Sequence, residues 1–103
     1  MSDAKIKAQK IIDENGVVVF SKSYCPYCKA SKDLLTQLGA KYHTLELDQT
    51  DGGDALQNAL QEISGQRTVP NIYISQKHIG GNSDLQGLKA ELPQLLKDAS
   101  PKA

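Results

Sequence analysis

The sequence has little with which to cross-link itself: its 103 residues include only two cysteines, Cys25 and Cys28. Secreted scaffolds spread several cysteines along the chain to staple distant loops, so a disulfide framework is excluded. Charge of either sign is not in excess. Lysine plus arginine equals aspartate plus glutamate at 12 each. Nucleic-acid modules depend on a cationic surplus to meet phosphates, so no nucleic-acid partner is expected. No run approaches the ~20 apolar residues of a membrane helix, and no membrane partner is expected. Low-complexity tracts and repeats at solenoid spacing are missing. Tryptophan is also absent.

What is present is ordinary for a globular protein: 39% hydrophobic and 23% charged residues. This length predicts one domain over residues 1–103, with a core of modest size. Met1 to Lys10 carries lysines along an amphipathic pattern without the apolar centre of a signal peptide, so the cytoplasm is the expected compartment.

Ala4, Ala8, Ile11 and Ile12 recur at helical spacing, and Gly16 follows as a stop. Val17 to Phe20 is a continuous β-rich apolar run, as in a buried strand. After a short loop, Pro26 suits the first turn of a helix whose apolar stripe is Ala30, Leu34, Leu35 and Leu38. Tyr42 to Leu47 alternates as a second strand. Leu56, Ala59, Leu60 and Ile63 mark a helix closed by Gly65, and Asn71–Ser75 with Lys77–Ile79 reads as a hairpin. Ser83 and Gln86 predict a capping box for a last helix, which Pro93 should break or kink. The expected order is α-β-α-β-α-β-β-α. A right-handed strand–helix–strand crossover makes the first pair parallel and the hairpin is antiparallel, giving a mixed α/β sheet with helices on both faces. Strand order is not legible from periodicity.

The cysteine spacing matters because of where it falls. Cys25 stands at the start of the second helix and Cys28 about one turn later. A helix N-terminus offers unpaired N–H groups and a partial positive charge, which favour an anion. Lys22 and Lys29 add positive charge nearby. Cysteines in such surroundings react as thiolates. Cys25 is therefore the candidate nucleophile. Cys28, deeper along the helix, is the candidate resolving thiol that attacks a mixed disulfide on Cys25. A zinc site needs four ligands, and beside the pair stand only His43, among strand residues, and His78, in the hairpin, each read as an ordinary surface or core-edge histidine. No metal is expected.

Cys25-Pro26-Tyr27-Cys28 preceded by Lys22, then Thr68-Val69-Pro70-Asn71, then Gly80-Gly81-Asn82-Ser83-Asp84, resemble in this order the dithiol glutaredoxins. The resemblance runs from about Val17 to Leu96. Thioredoxins share the fold but carry a tryptophan before the pair, which this sequence lacks. The resemblance implies a thioredoxin-like fold with a four-stranded mixed sheet, the hairpin beside the first strand, and a cis Pro70. It implies glutathione-dependent thiol–disulfide oxidoreductase activity by a monomer, with glutathione as co-substrate and with glutathionylated or disulfide-containing proteins as partners. It further implies that Val69, flanked by Thr68 and Pro70, holds the cysteine part of glutathione and that Tyr27 packs beside the mixed disulfide. Lys22, Gln57 and Arg67 would meet the glycine carboxylate; Ser83 and Asp84 would meet the γ-glutamyl end. Read alone, Lys22, Gln57 and Arg67 are equally ordinary solvated residues, and Ser83 and Asp84 are explained as helix-start residues. The alternative function is an iron–sulfur carrier in which Cys25 thiolates and glutathione from two chains hold a cluster; Pro26 disfavours it.

Overall fold

The computed structural model describes residues 2–102; Met1 and Ala103, the ends of the expected domain, lie outside the described residues. The elements in chain order are α1 (Asp3–Glu14), β1 (Val17–Ser21), α2 (Pro26–Gln37), β2 (His43–Glu46), α3 (Gly53–Ser64), β3 (Asn71–Ile74), β4 (Lys77–Gly80), α4 (Asn82–Gly87) and α5 (Leu92–Lys97). The sheet has four strands in the order β2-β1-β3-β4. β1 runs parallel to β2 and antiparallel to β3, and β3 pairs antiparallel with β4.

Alternation along β1 builds two cores. Val18 and Phe20 point to one face, where Ala8 and Ile12 of α1 and Leu56, Ala59 and Leu60 of α3 cover them. The Phe20 and Tyr73 rings meet edge to face there, 6.0 Å between centroids. Val17 and Val19 point to the other face, packed with Leu34 and Leu35 of α2, Leu85 of α4 and Leu92 of α5. All five residues of β1 are buried, as its continuous apolar run predicts for a central strand.

The C-terminal part differs from the sequence expectation in two ways. Ser83 is not the cap of the last helix. Gly81 holds that position, and the Asp84 carboxylate accepts the Gly81 N–H at 2.9 Å. A glycine has no side chain to cap with, so the carboxylate three residues on satisfies the helix start. Gly80 beside it has φ +119, and a Cβ there would collide with the Asp84 side chain. The second difference is at Pro93, which does not kink one long helix. The chain breaks after Gly87, and Pro93 lies in the first turn of a separate helix, where its missing N–H costs nothing.

Between β2 and α3 the chain turns tightly at Gly52 and Gly53. A Cβ on Gly53 would overlap the Leu47 carbonyl, so only glycine lets α3 begin this close to the strand end.

Candidate active site

β1 ends at Ser21, and four residues later the chain enters α2. Cys25 is the N-cap of α2 and Pro26 opens its first turn. Caps are ordinarily oxygen acceptors. Here the Cys25 sulfur accepts the Cys28 backbone N–H at 3.2 Å. The sulfur thus receives one of the orphan donors of the helix start, as the sequence placed it to do. Cys25 is partly exposed, whereas Cys28 is fully buried. Burial, with the Cys25 sulfur alongside, pushes the Cys28 thiol up to about 11. The pair therefore divides into an accessible sulfur and a protonated one behind it. Both are free thiols.

The loop before β3 lies against this helix start. Its Val69–Pro70 bond is cis, and the Val69 carbonyl is 4.0 Å from the Cys25 sulfur. The loop is held from several sides. Gln66 donates from its amide to the carbonyls of Thr68 at 3.1 Å and Pro70 at 2.9 Å. His78 of β4 reaches both the Gln66 and Asn71 side-chain oxygens, at 3.1 and 3.0 Å. Burial lowers the His78 pKa, and the charge of Asp84 works against that shift. Gln57 of α3 is only 5% exposed, and its amide donates to the Arg67 carbonyl at 2.8 Å. The Arg67 side chain is tied to Asn58 at 3.0 Å.

A groove of about 380 Å³ runs beside the cysteine pair, lined by Tyr27, Gln66, Thr68, Val69, Pro70 and the segment from Gly81 to Asp84. Six residues singled out in the sequence therefore share one wall or another of this groove: Tyr27, Thr68, Val69, Pro70, Ser83 and Asp84. The Tyr27 side chain stands open to solvent at its rim, 67% exposed. Lys22, Gln57 and Arg67 do not line it. Lys22 sits at the β1–α2 turn, where its carbonyl accepts the Cys25 N–H and its charge helps hold the Asp48 carboxyl low behind the Ser23 hydrogen bonds. Sequence reasoning missed Gln66 and Asn82. Asn82 accepts a hydrogen bond from buried Ser31 of α2 at 2.9 Å, joining the body of α2 to the start of α4. Gln66 lies two residues before one noticed motif and Asn82 inside another, where it was given no role; that was the available signal.

A larger cleft, about 540 Å³, lies at the opposite end of β1 between Leu38, Lys41, Pro93 and Leu96. It lies at the start of β1, away from the cysteine pair beyond the strand's other end, so size alone does not locate the chemistry. Among the described residues, no group of three or more His, Cys, Asp or Glu is gathered to hold a metal ion.

A central strand that delivers a cysteine to the cap of a crossover helix, opposite a cis-proline loop, defines the thioredoxin-like thiol–disulfide oxidoreductases. Comparison with known proteins narrows that class. The glutaredoxin family pattern matches residues 17–79. A glutaredoxin of Vernicia fordii is 50% identical over 103 residues, spanning 97% of this chain and 99% of its own length. The crystal structure of a buckwheat glutaredoxin–glutathione complex is 46% identical, with a TM-score of 0.90 over 97% of this chain and 93% of that one. The holo form of glutaredoxin C1 from Populus tremula x tremuloides is 44% identical, with a TM-score of 0.93 over 96% of this chain and 100% of that one. The chain belongs to the glutaredoxin family, whose members are glutathione-dependent oxidoreductases.

Proposed function

We propose that this chain transfers electrons between glutathione and disulfides through Cys25 and Cys28, with glutathione held in the groove beside them. The observation that carries the reading is the capped Cys25 sulfur facing the Val69 carbonyl across the mouth of that groove. The Cys25 thiolate attacks a disulfide or a glutathione mixed disulfide and becomes the mixed disulfide itself. Cys28 or a second glutathione then resolves it.

The groove suits glutathione along its length. Val69, between Thr68 and Pro70, presents its backbone beside Cys25 to the cysteine part of the tripeptide. Tyr27 covers the mixed disulfide from the rim. Ser83 and Asp84, both exposed, stand at the far wall for the γ-glutamyl ammonium and carboxylate. Lys22 and Arg67 supply cations for the glycine carboxylate, and Gln57 acts there by bracing the Arg67 backbone. The buckwheat relative, solved as a complex with glutathione, supports this assignment.

The partners we propose are glutathionylated and disulfide-containing proteins, met by a monomer in the cytoplasm. Among the described residues the large exposed apolar side chains are Ile6, Tyr24, Tyr27 and Leu95, and only the two tyrosines adjoin the active site. That distribution favours a small contact around Cys25 over a broad permanent interface.

The test is intact mass spectrometry of the oxidised protein mixed with glutathione. A glutathione adduct on Cys25 is expected. Absence of any adduct, or an adduct on Cys28, overturns the reading.

A further inference from the structure

The carbonyls of Thr68, Val69 and Pro70 do not all face one way. The Val69 carbonyl faces the Cys25 sulfur at 4.0 Å. Those of Thr68 and Pro70 face the Gln66 side chain instead, and both accept from its amide nitrogen, at 3.1 and 2.9 Å. Gln66 therefore helps decide how the Val69 backbone is presented to the groove. Gln66 is itself held by His78 of β4. The imidazole Nε2 lies 3.1 Å from Gln66 Oε1 and 3.0 Å from Asn71 Oδ1.

Sheet register puts the imidazole there. His78 pairs with Tyr73 of β3, and the two rings stand 5.2 Å apart between centroids. Asn71 is two residues before Tyr73, so alternation places it on the same face of β3. Asn71 is fully buried, and its amide nitrogen donates to the Gln66 carbonyl at 3.3 Å. The atoms' roles follow from this. Backbone carbonyls only accept, so the amide nitrogens of Gln66 and Asn71 must be the groups turned to them. Both amide oxygens are left facing His78, and Nε2 is then the nitrogen that carries the proton. One N–H is shared between the two side chains that hold the loop. His78 does not itself line the groove. Any influence it has on a ligand passes through Gln66 and Asn71.

We propose that His78 is a positioning residue for glutathione: its Nε2–H fixes Gln66, and Gln66 holds the Val69 backbone in the orientation that meets the cysteine part of the tripeptide. The proposal rests on the glutathione reading given above and deepens it. The ligand class that depends on His78 is a thiol within a peptide. A thiol without peptide groups, such as dithiothreitol, reaches Cys25 without using Val69 and is indifferent to His78.

The test compares glutathione with dithiothreitol in steady-state kinetics. His78→Leu removes the donor and keeps an apolar contact for Tyr73. It is expected to raise the KM for glutathione by about threefold to tenfold, the span of one ordinary hydrogen bond, with kcat and dithiothreitol turnover nearly unchanged. His78→Gln extends an amide N–H toward the place of Nε2 and should restore the parent KM. Adding His78→Leu to Gln66→Leu should cost little beyond Gln66→Leu alone, because the route is already cut. The tautomer gives a check that stands whether or not His78→Leu folds. The sequence has two histidines, so His78→Gln assigns their signals. Long-range proton–nitrogen spectra of the parent at neutral pH should show His78 protonated at Nε2. A ring protonated at Nδ1 alone overturns the proposal. So does a parent-like KM in His78→Leu, a raised KM in His78→Gln, or full additivity with Gln66→Leu. Equal losses with both reductants overturn it too, because that is the mark of a damaged strand. If the parent protein forms no glutathione adduct, the glutathione reading falls and takes this role with it; if the adduct forms and any of the other contrary results appears, the role of His78 falls alone.

Discussion

The Cys28 backbone N–H points at the Cys25 sulfur from 3.2 Å, so the residue that resolves the mixed disulfide also supports the sulfur that starts the reaction. That support comes from the main chain and survives a change of the Cys28 side chain. The buried thiol behind it does not.

The two cysteines should therefore separate on mutation. Cys25→Ser is expected to abolish all activity. Cys28→Ser should keep removal of glutathione from glutathionylated substrates, where a second glutathione completes the cycle, and lose resolution through an internal disulfide. Parallel assays with a glutathionylated peptide and with a disulfide-bonded protein check this. A Cys28→Ser protein inactive on the glutathionylated peptide contradicts it.

The Cys28 thiol also predicts a pH dependence of stability. Its folded value is about 11 against an ordinary 9.0, because burial favours the neutral thiol. A raised value means that the unfolded chain loses this proton first. The contribution to stability is complete below pH 9 and is lost as pH rises toward 11. Urea unfolding of the reduced protein across that window should show a decline that Cys28→Ala shows less steeply. Parallel curves for the two proteins exclude it.

Asp84 serves the fold and, on our assignment, the ligand. Its carboxylate accepts the Gly81 N–H, so charge reversal would disturb both. Asp84→Asn keeps an acceptor for that N–H and removes the charge. It should weaken glutathione use by roughly tenfold, as ~1.4 kcal/mol implies, while reduction by dithiothreitol and the melting temperature stay nearly constant. Equal losses with both reductants would make Asp84 a helix-start residue only.

Gln66 braces the loop from the groove side. Gln66→Leu removes the donor from the exposed Thr68 carbonyl and the half-buried Pro70 carbonyl, at an expected cost of about 0.5–1.5 kcal/mol, the net worth of an ordinary hydrogen bond. The KM for glutathione should rise more than kcat falls. Thermal melts and steady-state kinetics measure the two effects, and a variant with parent stability and KM would show the brace to be dispensable.

Gly53→Ala tests the tight entry into α3. The added methyl meets the Leu47 carbonyl, and overpacking of this kind costs about 1–3 kcal/mol. Each kcal/mol should lower the melting temperature by about 4–8 °C in a domain of this size. An unshifted melt would mean that the chain gives way there without strain.

The parts of the site that were legible in the sequence are those written by local rules. An apolar strand run, then a cysteine, then proline in a first helical turn, placed Cys25 correctly at the cap. The resemblance implied the cis bond before Pro70, which is present. The cap at Gly81 was misplaced because a serine and a glutamine at capping-box spacing stood close by, while the working pair was a glycine and an aspartate. The resemblance assigned Gln57 to the glycine carboxylate of glutathione, and in the fold its amide donates to the Arg67 carbonyl, a contact that residue type alone does not announce. The hydrogen bond from Ser21 of β1 to Glu46 of β2 was out of reach altogether. It depends on the register between two strands separated by a whole helix, and periodicity within either strand carries no information about that register.

The place of β1 at the centre of the sheet bears on how the protein reaches its folded state. Val18 pairs with His43 on one side and with Tyr73 on the other, whereas β3 and β4 meet across a short turn. The hairpin closes a small loop; the central strand must wait for two large ones, whose closure is entropically slower to achieve. Cys25 and Cys28, by contrast, are near neighbours in any conformation. A chain emerging into an oxidising solution can join its two sulfurs before either long-range pairing exists. A ring that small removes little freedom from the unfolded ensemble. Premature oxidation therefore leaves the route to the native sheet open, and the refolded molecule arrives already carrying its electron-accepting form.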